Sequence, residues 1–411
     1  MLIKIYDMIG ETLYIKRRQV KAGLLALLFL FMRIFPIKKN KVVFSFEGEG
    51  GYGCNPKYIA EELQRRGKAE LFWITNDTKR DFPSYVKPVK NTFWNQAYHL
   101  STARVWVDNY RKPMGTLKRA GQLYVQTWHA SIGFKAVGLF RGKAFPEIAR
   151  LVSEWDSSLA DIVITNSDYC EKIYPKKLLY SGRMERTGSP RCDIIVSGSA
   201  ERQEKVREKY GIKSDEKIML YVPTFRSGNQ GGKKRVEAET PTLDFERVLR
   251  ALEKRSGTDW KIMFRLHPQL SGVLRKMSVE KPISQKSKLQ IVDASLADDV
   301  NEIVAISSLV VTDYSSLAFD SAYARIPVLL YADDMDDYRK SRGEFMWRRS
   351  ELPFLIAENN DEMEQNIKKF DYGIYIKKVD EFMEKNGVSE DGHASERVAD
   401  IVEKWILDGE V

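Results

Sequence analysis

Apolar runs that end in unusual polar residues recur in both halves of this chain, and they leave room for one kind of architecture. Trp128-His129-Ala130 follows LYVQT, and Asn166-Ser167 follows IVIT. Pro223-Thr224-Phe225-Arg226 follows MLYV, Arg265-Leu266-His267-Pro268 follows KIMF, and Asp313-Tyr314-Ser315-Ser316 follows LVVT. The runs read as strands, and helical stretches separate most of them. Strand alternating with helix argues for parallel sheets covered on both faces. In open parallel sheets, ligands bind outside the carboxyl ends of the strands. Two such sheets facing each other would gather all five endings along one cleft.

The first half begins with Lys41-Val-Val-Phe-Ser-Phe as a strand, a Gly-rich turn from Gly48 to Gly53, and a helix with Pro56 near its start, where proline is tolerated. Leu71–Thr75 and Arg104–Asp108 read as further strands. From Val196 to Ser214 the pattern turns small, polar and charged, and the predicted boundary lies there. The predicted domains are thus 41–198 and 215–390, with Ser227–Lys234 a flexible basic loop. In the closing segment, 391–411, Val398, Ile401, Val402, Trp405 and Ile406 form one apolar stripe at helical spacing, a pattern that packs against a domain.

Length agrees with two domains, since the chain has 411 residues. Its three cysteines, Cys54, Cys170 and Cys192, have no C-x-x-C spacing, so neither a disulfide framework nor a zinc site is indicated. The net charge of +9 is unevenly placed. Residues 1–40 carry eight Lys and Arg against Asp7 and Glu11, and they hold the most apolar run, Gly23–Phe35. That run is too short for a spanning helix, which needs about 20 apolar residues. No small-residue cleavage site follows it, so it is not a signal peptide. Two readings remain. One is a helix lying on an anionic cytoplasmic leaflet as a peripheral anchor; the other is a helix buried against the first domain. The flanking cations favour the first. No helix-turn-helix, zinc finger or RNA-binding motif accompanies the charge, so nucleic acid is not an expected partner.

The polar endings suggest phosphoryl chemistry. A helical pattern follows DYSS at once, so Ser315 and Ser316 lie near a helix N-terminus, where backbone N–H groups favour an anion. An ordinary cap is an equal reading of that segment alone. Only four histidines occur. His99 and His393 fall in helix or surface patterns. His129 and His267 end strands, one in each half, and histidine can take a proton from an attacking hydroxyl. A lone histidine is more often structural; one on each presumed wall argues for function. Arg226, Arg265, Arg191 and Lys135 share these motifs, and guanidinium forks suit phosphates. Walker A and H-E-x-x-H motifs are absent. Asp333, Asp334, Asp336 and Asp337 read as an acidic loop, and no metal site is expected.

These pieces resemble the CDP-glycerol glycerophosphotransferase family, the teichoic-acid primases and polymerases. The matching segments are Asn55-Pro56-Lys57, QTWHA with Lys135 and Gly138, Thr165–Tyr169, GSPRCD (Gly188–Asp193), YVPTFR, RLHP, the Asp299–Ile303 region, TDYSSLAFD, Ile326–Gly343 and DGHASERV. They run in the family's order over roughly residues 41–405.

The resemblance implies a GT-B fold, two Rossmann-like domains with the active site between them, and a C-terminal helix packing back toward the first. It implies attack of an acceptor hydroxyl on the donor β-phosphate, with CMP leaving. His129 would be the base, with His267 and Arg265 on the phosphates. Asp313, Ser315 and Ser316 would hold the pyrophosphate, and Thr224, Arg226 and Asp299 the nucleotide. Lys135, Asn166, Ser167, Arg191 and Asp193 would line the acceptor side. No cofactor is implied, because the CDP-polyol is a substrate. The length fits members with a single catalytic unit, and the basic leader fits those acting on polyprenyl-linked acceptors at the inner membrane face.

In its usual form the family has WHG followed by Thr-Pro and Leu-Lys; here the run is Trp128-His129-Ala130-Ser131-Ile132-Gly133-Phe134-Lys135. The departure bears on the acceptor and the polyol; CDP-glycerol is the first expectation because it names the family, and CDP-ribitol the second, for a teichoic acid or a capsule-type polymer. The alternatives are a GT-B glycosyltransferase using a nucleotide sugar, which would release a nucleoside diphosphate, and a membrane-bound scaffold without chemistry.

Overall fold

The computed structural model describes residues 2–46, 51–224, 227–230, 233–236, 241–265 and 291–409. They form two compact units. Unit 1 is drawn from residues up to Ser131, from Ala136–Asp193, and from Ser389 onward; unit 2 from Ile132–Lys135 and Ile194–Val388.

Unit 1 is built on β1 (Lys38–Ser45), β2 (Glu70–Thr75), β3 (Val86–Lys90), β4 (Ala103–Asp108), β5 (Leu123–Gln126), β6 (Ile162–Thr165) and β7 (Arg183–Arg186). Their order is β3-β2-β1-β4-β5-β6-β7, and every pairing is parallel. The sheet winds outward both ways from β1 and β4, as in a Rossmann-like domain. Being covered on both faces, the central strands need apolar residues at nearly every position. On one face Phe44, Trp73, Val105, Val107 and Val125 pack with Ile59 and Leu63 of the helix Cys54–Arg66. Val398, Ala399 and Val402 of the last helix, Ala394–Asp408, close the same cluster. On the other face Val43, Trp106 and Tyr124 pack with Leu25, Phe29 and Met32.

Those last three residues belong to the leader, which is one helix, Leu2–Met32. The reading as a helix buried against the first domain holds for one face of the leader. Leu25, Phe29 and Met32, at helical spacing, are buried in unit 1, each contributing about 2 kcal/mol over exposure. Leu24, Leu27, Leu30 and Phe31 are exposed. The helix sits close because Gly115, at φ +93°, passes beneath it; a Cβ there would stand 2.1 Å from the Ala22 carbonyl oxygen. No described helix is long and apolar enough to cross a membrane.

Unit 2 contains β8 (Lys217–Val222), the antiparallel hairpin β9 (Ser227–Gln230) and β10 (Lys233–Val236), then β11 (Trp260–Phe264), β12 (Ile291–Asp293), β13 (Leu309–Thr312), β14 (Val328–Tyr331) and β15 (Leu355–Ala357). Its main sheet runs β12-β11-β8-β13-β14-β15, again parallel throughout. Met219, Ile262, Phe264, Val311 and Leu329 pack there with Val248 and Leu252 of the helix Phe245–Ser256. This is the second Rossmann-like domain.

Several details differ from the sequence reading. The edge strands β3 (VKPVK) and β7 (RMER) carry no apolar run, because an edge strand buries less of itself. The polar stretch after Val196 contains the helix Ala200–Tyr210, capped by Ser199. Asp336 and Asp337 begin the helix Met335–Arg342 rather than a loop. Ile132–Lys135 groups with unit 2, although its neighbours on both sides belong to unit 1. The Phe134 carbonyl accepts from Met346 N at 2.7 Å, and the Gly133 carbonyl accepts from Trp347 Nε1 at 3.1 Å.

Candidate active site

On unit 1, polar side chains converge where β4 and β5 end. Asp108 and Gln126 are the last residues of those strands. The chain then turns through Thr127 and Trp128, and Trp128 takes a φ of +52°. A bulky residue in that region is strained, so its surroundings must hold it. Gln126 Oε1 accepts from the Trp128 N–H at 2.9 Å. Asn55 Nδ2 donates to the carbonyls of Thr127 (3.2 Å) and Trp128 (2.9 Å), while its Oδ1 accepts from Arg191 N at 3.0 Å. The Arg111 guanidinium lies over the Trp128 ring, 4.6 Å from its centroid.

The turn presents His129. Its ring packs on Trp128, centroids 4.3 Å apart. Its Nδ1 lies 3.0 Å from the Asn109 carbonyl oxygen. A carbonyl can only accept, so the neutral ring carries its proton on Nδ1 and keeps the Nε2 lone pair. That is the tautomer a general base needs.

A shell of ionisable groups lies behind this loop. Asp156 accepts from Lys112 N (2.8 Å) and from Tyr124 OH (2.7 Å), and burial pushes its carboxyl up to about 6. Asp108, fully buried, pairs with Lys112 at 2.8 Å; burial raises its pKa although Lys112 opposes the shift. Lys177, the last residue of the helix Asp168–Lys177, donates to the carbonyls of Ala130 (2.8 Å) and Ser131 (2.6 Å).

Of the acceptor-side residues expected from the sequence, Asn166, Ser167, Arg191 and Asp193 fall in the same unit, in supporting positions, and Lys135 groups with unit 2. Asn166 Nδ2 donates to Glu390 Oε1 at 2.8 Å. Ser167 caps the helix Asp168–Lys177 through Cys170 N. Asp193 accepts from Ala394 N (3.0 Å) and Ser395 N (2.7 Å), so it caps the last helix. Arg191 is buried beside Asn55. Glu390 also accepts from Ser189 N at 3.0 Å, and burial pushes it up to about 7. Asp156, Lys177 and Glu390 were not anticipated. Among them only Glu390 borders a motif, DGHASERV; a lysine closing a helix resembles any solvated C-terminal cation.

On unit 2, β8 and β13 are tied together at their carboxyl ends by Asp313. Its Oδ1 and Oδ2 accept from Thr224 N at 2.8 and 3.0 Å, and Thr224 Oγ1 donates to Oδ1 as well. Tyr314 N donates to the same Oδ1 at 2.6 Å. Ser315 Oγ accepts from Leu317 N at 3.3 Å, and Ser316 sits at the cap position of the helix Leu317–Tyr323 without a side-chain cap bond. Arg265 follows β11. Its Nη2 donates to the Ala297 carbonyl at 3.0 Å, while its buried Nε has no hydrogen-bond partner among the described residues. Burial lowers its pKa, against Asp299. Asp299 caps the helix Val300–Ala305 through Asn301 N at 3.0 Å. Lys135 pairs with Phe345 in an isolated bridge, and its ammonium lies 5.7 Å from the Tyr338 ring centroid. Arg226 and His267 lie outside the described residues.

Comparison with known proteins agrees with this layout. The family model described as CDP-Glycerol:Poly(glycerophosphate) glycerophosphotransferase matches residues 27–404. The chain is 28% identical over 385 residues to the teichoic acid poly(glycerol phosphate) polymerase of Staphylococcus epidermidis, covering 90% of this chain and 51% of that protein. It is 27% identical over 382 residues to the teichoic acid glycerol-phosphate transferase of Staphylococcus aureus, covering 89% and 93%. The chain thus spans about half the length of the first of these relatives and nearly all of the second. The wall teichoic acid polymerase TagF, in a structure soaked with CDPG, superposes with a TM-score of 0.78 at 24% identity, covering 98% of both chains. At that identity the likeness speaks for the fold.

Proposed function

The chain belongs to the CDP-glycerol:poly(glycerophosphate) glycerophosphotransferase family, and from that premise we propose that it transfers a polyol phosphate from a CDP-polyol to a hydroxyl of a lipid-linked acceptor. Glycerol phosphate is the first choice and ribitol phosphate the second, since relatives are named for both polymers. The acceptor oxygen forms a bond to the donor β-phosphorus. The bond from that phosphorus to the bridging oxygen breaks, and CMP leaves with the electron pair. The acceptor proton passes to Nε2 of His129. The observation that carries this reading is the Nδ1 contact to the Asn109 carbonyl, which holds the ring in the proton-accepting tautomer. Thr224, Arg226, Arg265, Asp299, Asp313, Ser315 and Ser316 are assigned to the donor, and His267 to its phosphates. Lys135, Asn166, Ser167, Arg191 and Asp193 are assigned to the acceptor side, Ser167 and Asp193 through the backbone they hold and Asn166 through Glu390.

The test is nucleotide release from CDP-glycerol and CDP-ribitol, each with a short lipid-linked saccharide. Acceptor-dependent CMP from one donor is expected and identifies the polyol. Release of a nucleoside diphosphate from a nucleotide sugar, with no CMP from either CDP-polyol, would replace this reading with a glycosyltransferase.

The acceptor class calls for a membrane surface, and the proposed place of work is the cytoplasmic face. Leu24, Leu27, Leu30 and Phe31 are exposed along one helix, and Phe31 meets the exposed Trp94, ring centroids 6.2 Å apart. Such an apolar strip beside Lys16, Arg17, Arg18 and Lys21 suits an anionic leaflet. Leu27→Glu with Leu30→Glu touches only exposed positions. It should lower flotation with phosphatidylglycerol vesicles by about tenfold or more without changing the melting temperature. Unchanged flotation would remove this surface from consideration.

A further inference from the structure

Lys177 stands out among the buried groups that the proposed reaction does not use. The residue is 6% exposed. Burying an ammonium costs several kcal/mol unless its protons are satisfied. Here the ammonium donates to two peptide carbonyls, those of Ala130 and Ser131. These are the two residues that follow His129. Asn55 does the same on the other side, at the carbonyls of Thr127 and Trp128. Four of the five carbonyls from Thr127 to Ser131 are therefore held by two buried side chains, and the fifth belongs to His129 itself.

We infer that Lys177 is a positioning residue for His129, its ammonium fixing the two peptide units after the base as Asn55 fixes the two before it.

Other contacts make the clamp rigid. Ser131 Oγ lies 2.9 Å from Ser189 Oγ. Gly138, where the chain returns, passes so near the end of the Lys177 helix that a Cβ would stand 2.3 Å from the Lys177 carbonyl oxygen. Chemistry of the site explains why an ammonium is used. Trp128 is strained at φ +52°, so the turn springs to another conformation unless both flanks are pinned. Charge-assisted hydrogen bonds are roughly twice as strong as neutral ones. Burial pulls Lys177 down to about 8; Cys170 opposes the shift, and Arg191 and Arg111 add to it. The Tyr174 ring lies 5.4 Å from the ammonium. The group stays charged at neutral pH. A misplacement of about 1 Å at a reacting group can cost roughly 10²-fold in rate, so the clamp governs turnover rather than donor binding.

The inference rests on His129 being the base, and two readouts separate the two ideas. In the CMP assay, Lys177→Met should lower kcat by about 30–100-fold, with KM for the CDP-polyol within about threefold. In Lys177→Ala, ethylammonium should restore part of the turnover, because it fills the vacated space with a charged donor. The second readout needs no substrate. With only four histidines in the chain, the ring nitrogens of His129 can be assigned by 15N NMR. The parent should show a proton held on Nδ1, and Lys177→Met an average of both tautomers. A folded Lys177→Met with kcat within twofold of the parent and an unchanged His129 ring would overturn the proposal. So would a folded, slow Lys177→Ala that no amine rescues, or failure of both variants to fold, which would make Lys177 a residue of the fold alone. If the parent releases no CMP, the functional reading fails, and the NMR comparison still decides whether Lys177 sets the ring.

Discussion

Replacing His129 with alanine should lower CMP release by about 10² or more while the CDP-donor binds as before. Loss of a general base removes a proton acceptor at the transition state. It removes little ground-state contact with the donor. The expected signature is therefore a fall in kcat without a rise in donor Kd. The ring is held by the Asn109 carbonyl and the Trp128 face, and neither contact supports a strand or helix. The alanine variant should keep the parent's melting temperature. Single-turnover CMP release beside a donor titration checks both halves. Turnover within threefold of the parent would transfer the role of base to another group, with His267 the next to be replaced.

Gly138→Ala should destabilise unit 1 by about 3 kcal/mol or more, through strain at positive φ and collision with fixed atoms. Gly138 has φ +61°, and its Cβ would meet the carbonyl oxygens of Lys177 and Lys176 at 2.3 and 2.5 Å. These are backbone atoms of a helix end, so no side-chain rotation relieves the overlap. Gly211 supplies the comparison. It has φ +64° and closes the helix Ala200–Tyr210, and a Cβ there would meet nothing within 4 Å. Gly211→Ala should cost only the conformational penalty, about 1 kcal/mol. Denaturant melts of both variants measure the difference. Equal losses would mean that the chain near Gly138 yields easily and that the close approach is unimportant.

The strands that build the two sheets were legible because central parallel strands are buried on both faces and must be apolar almost throughout. The endings of those strands were legible for the converse reason. Thr224, Asp313 and His129 are polar where an apolar run has just stopped. The edge strands β3 and β7 were not, since Val86–Lys90 and Arg183–Arg186 look like loop. Asp193 and Asn166 are expected on the acceptor side from the sequence, and the bonds they make are local: one caps the last helix and the other holds Glu390. Lys177 left no trace in the pattern. A lysine at a helix C-terminus reads as a solvated cation facing the dipole, and only tertiary packing turns its ammonium inward. Ile132–Lys135 escaped for a similar reason. Its pairing with Phe345 and Met346 lies about two hundred residues away in the chain, beyond any local periodicity.

One consequence of the unit boundaries concerns the order in which the chain is made. The cluster around Ile59, Leu63 and Trp73 is closed by Val398, Ala399 and Val402. All of Ile194–Val388 is synthesised between them. At ribosomal rates of 5–20 residues per second, that interval lasts roughly 10–40 s. Through it, the nascent first unit carries an uncovered apolar face. The last helix acts as a latch that arrives late, and until it arrives that face is open to any chaperone that binds exposed apolar chain.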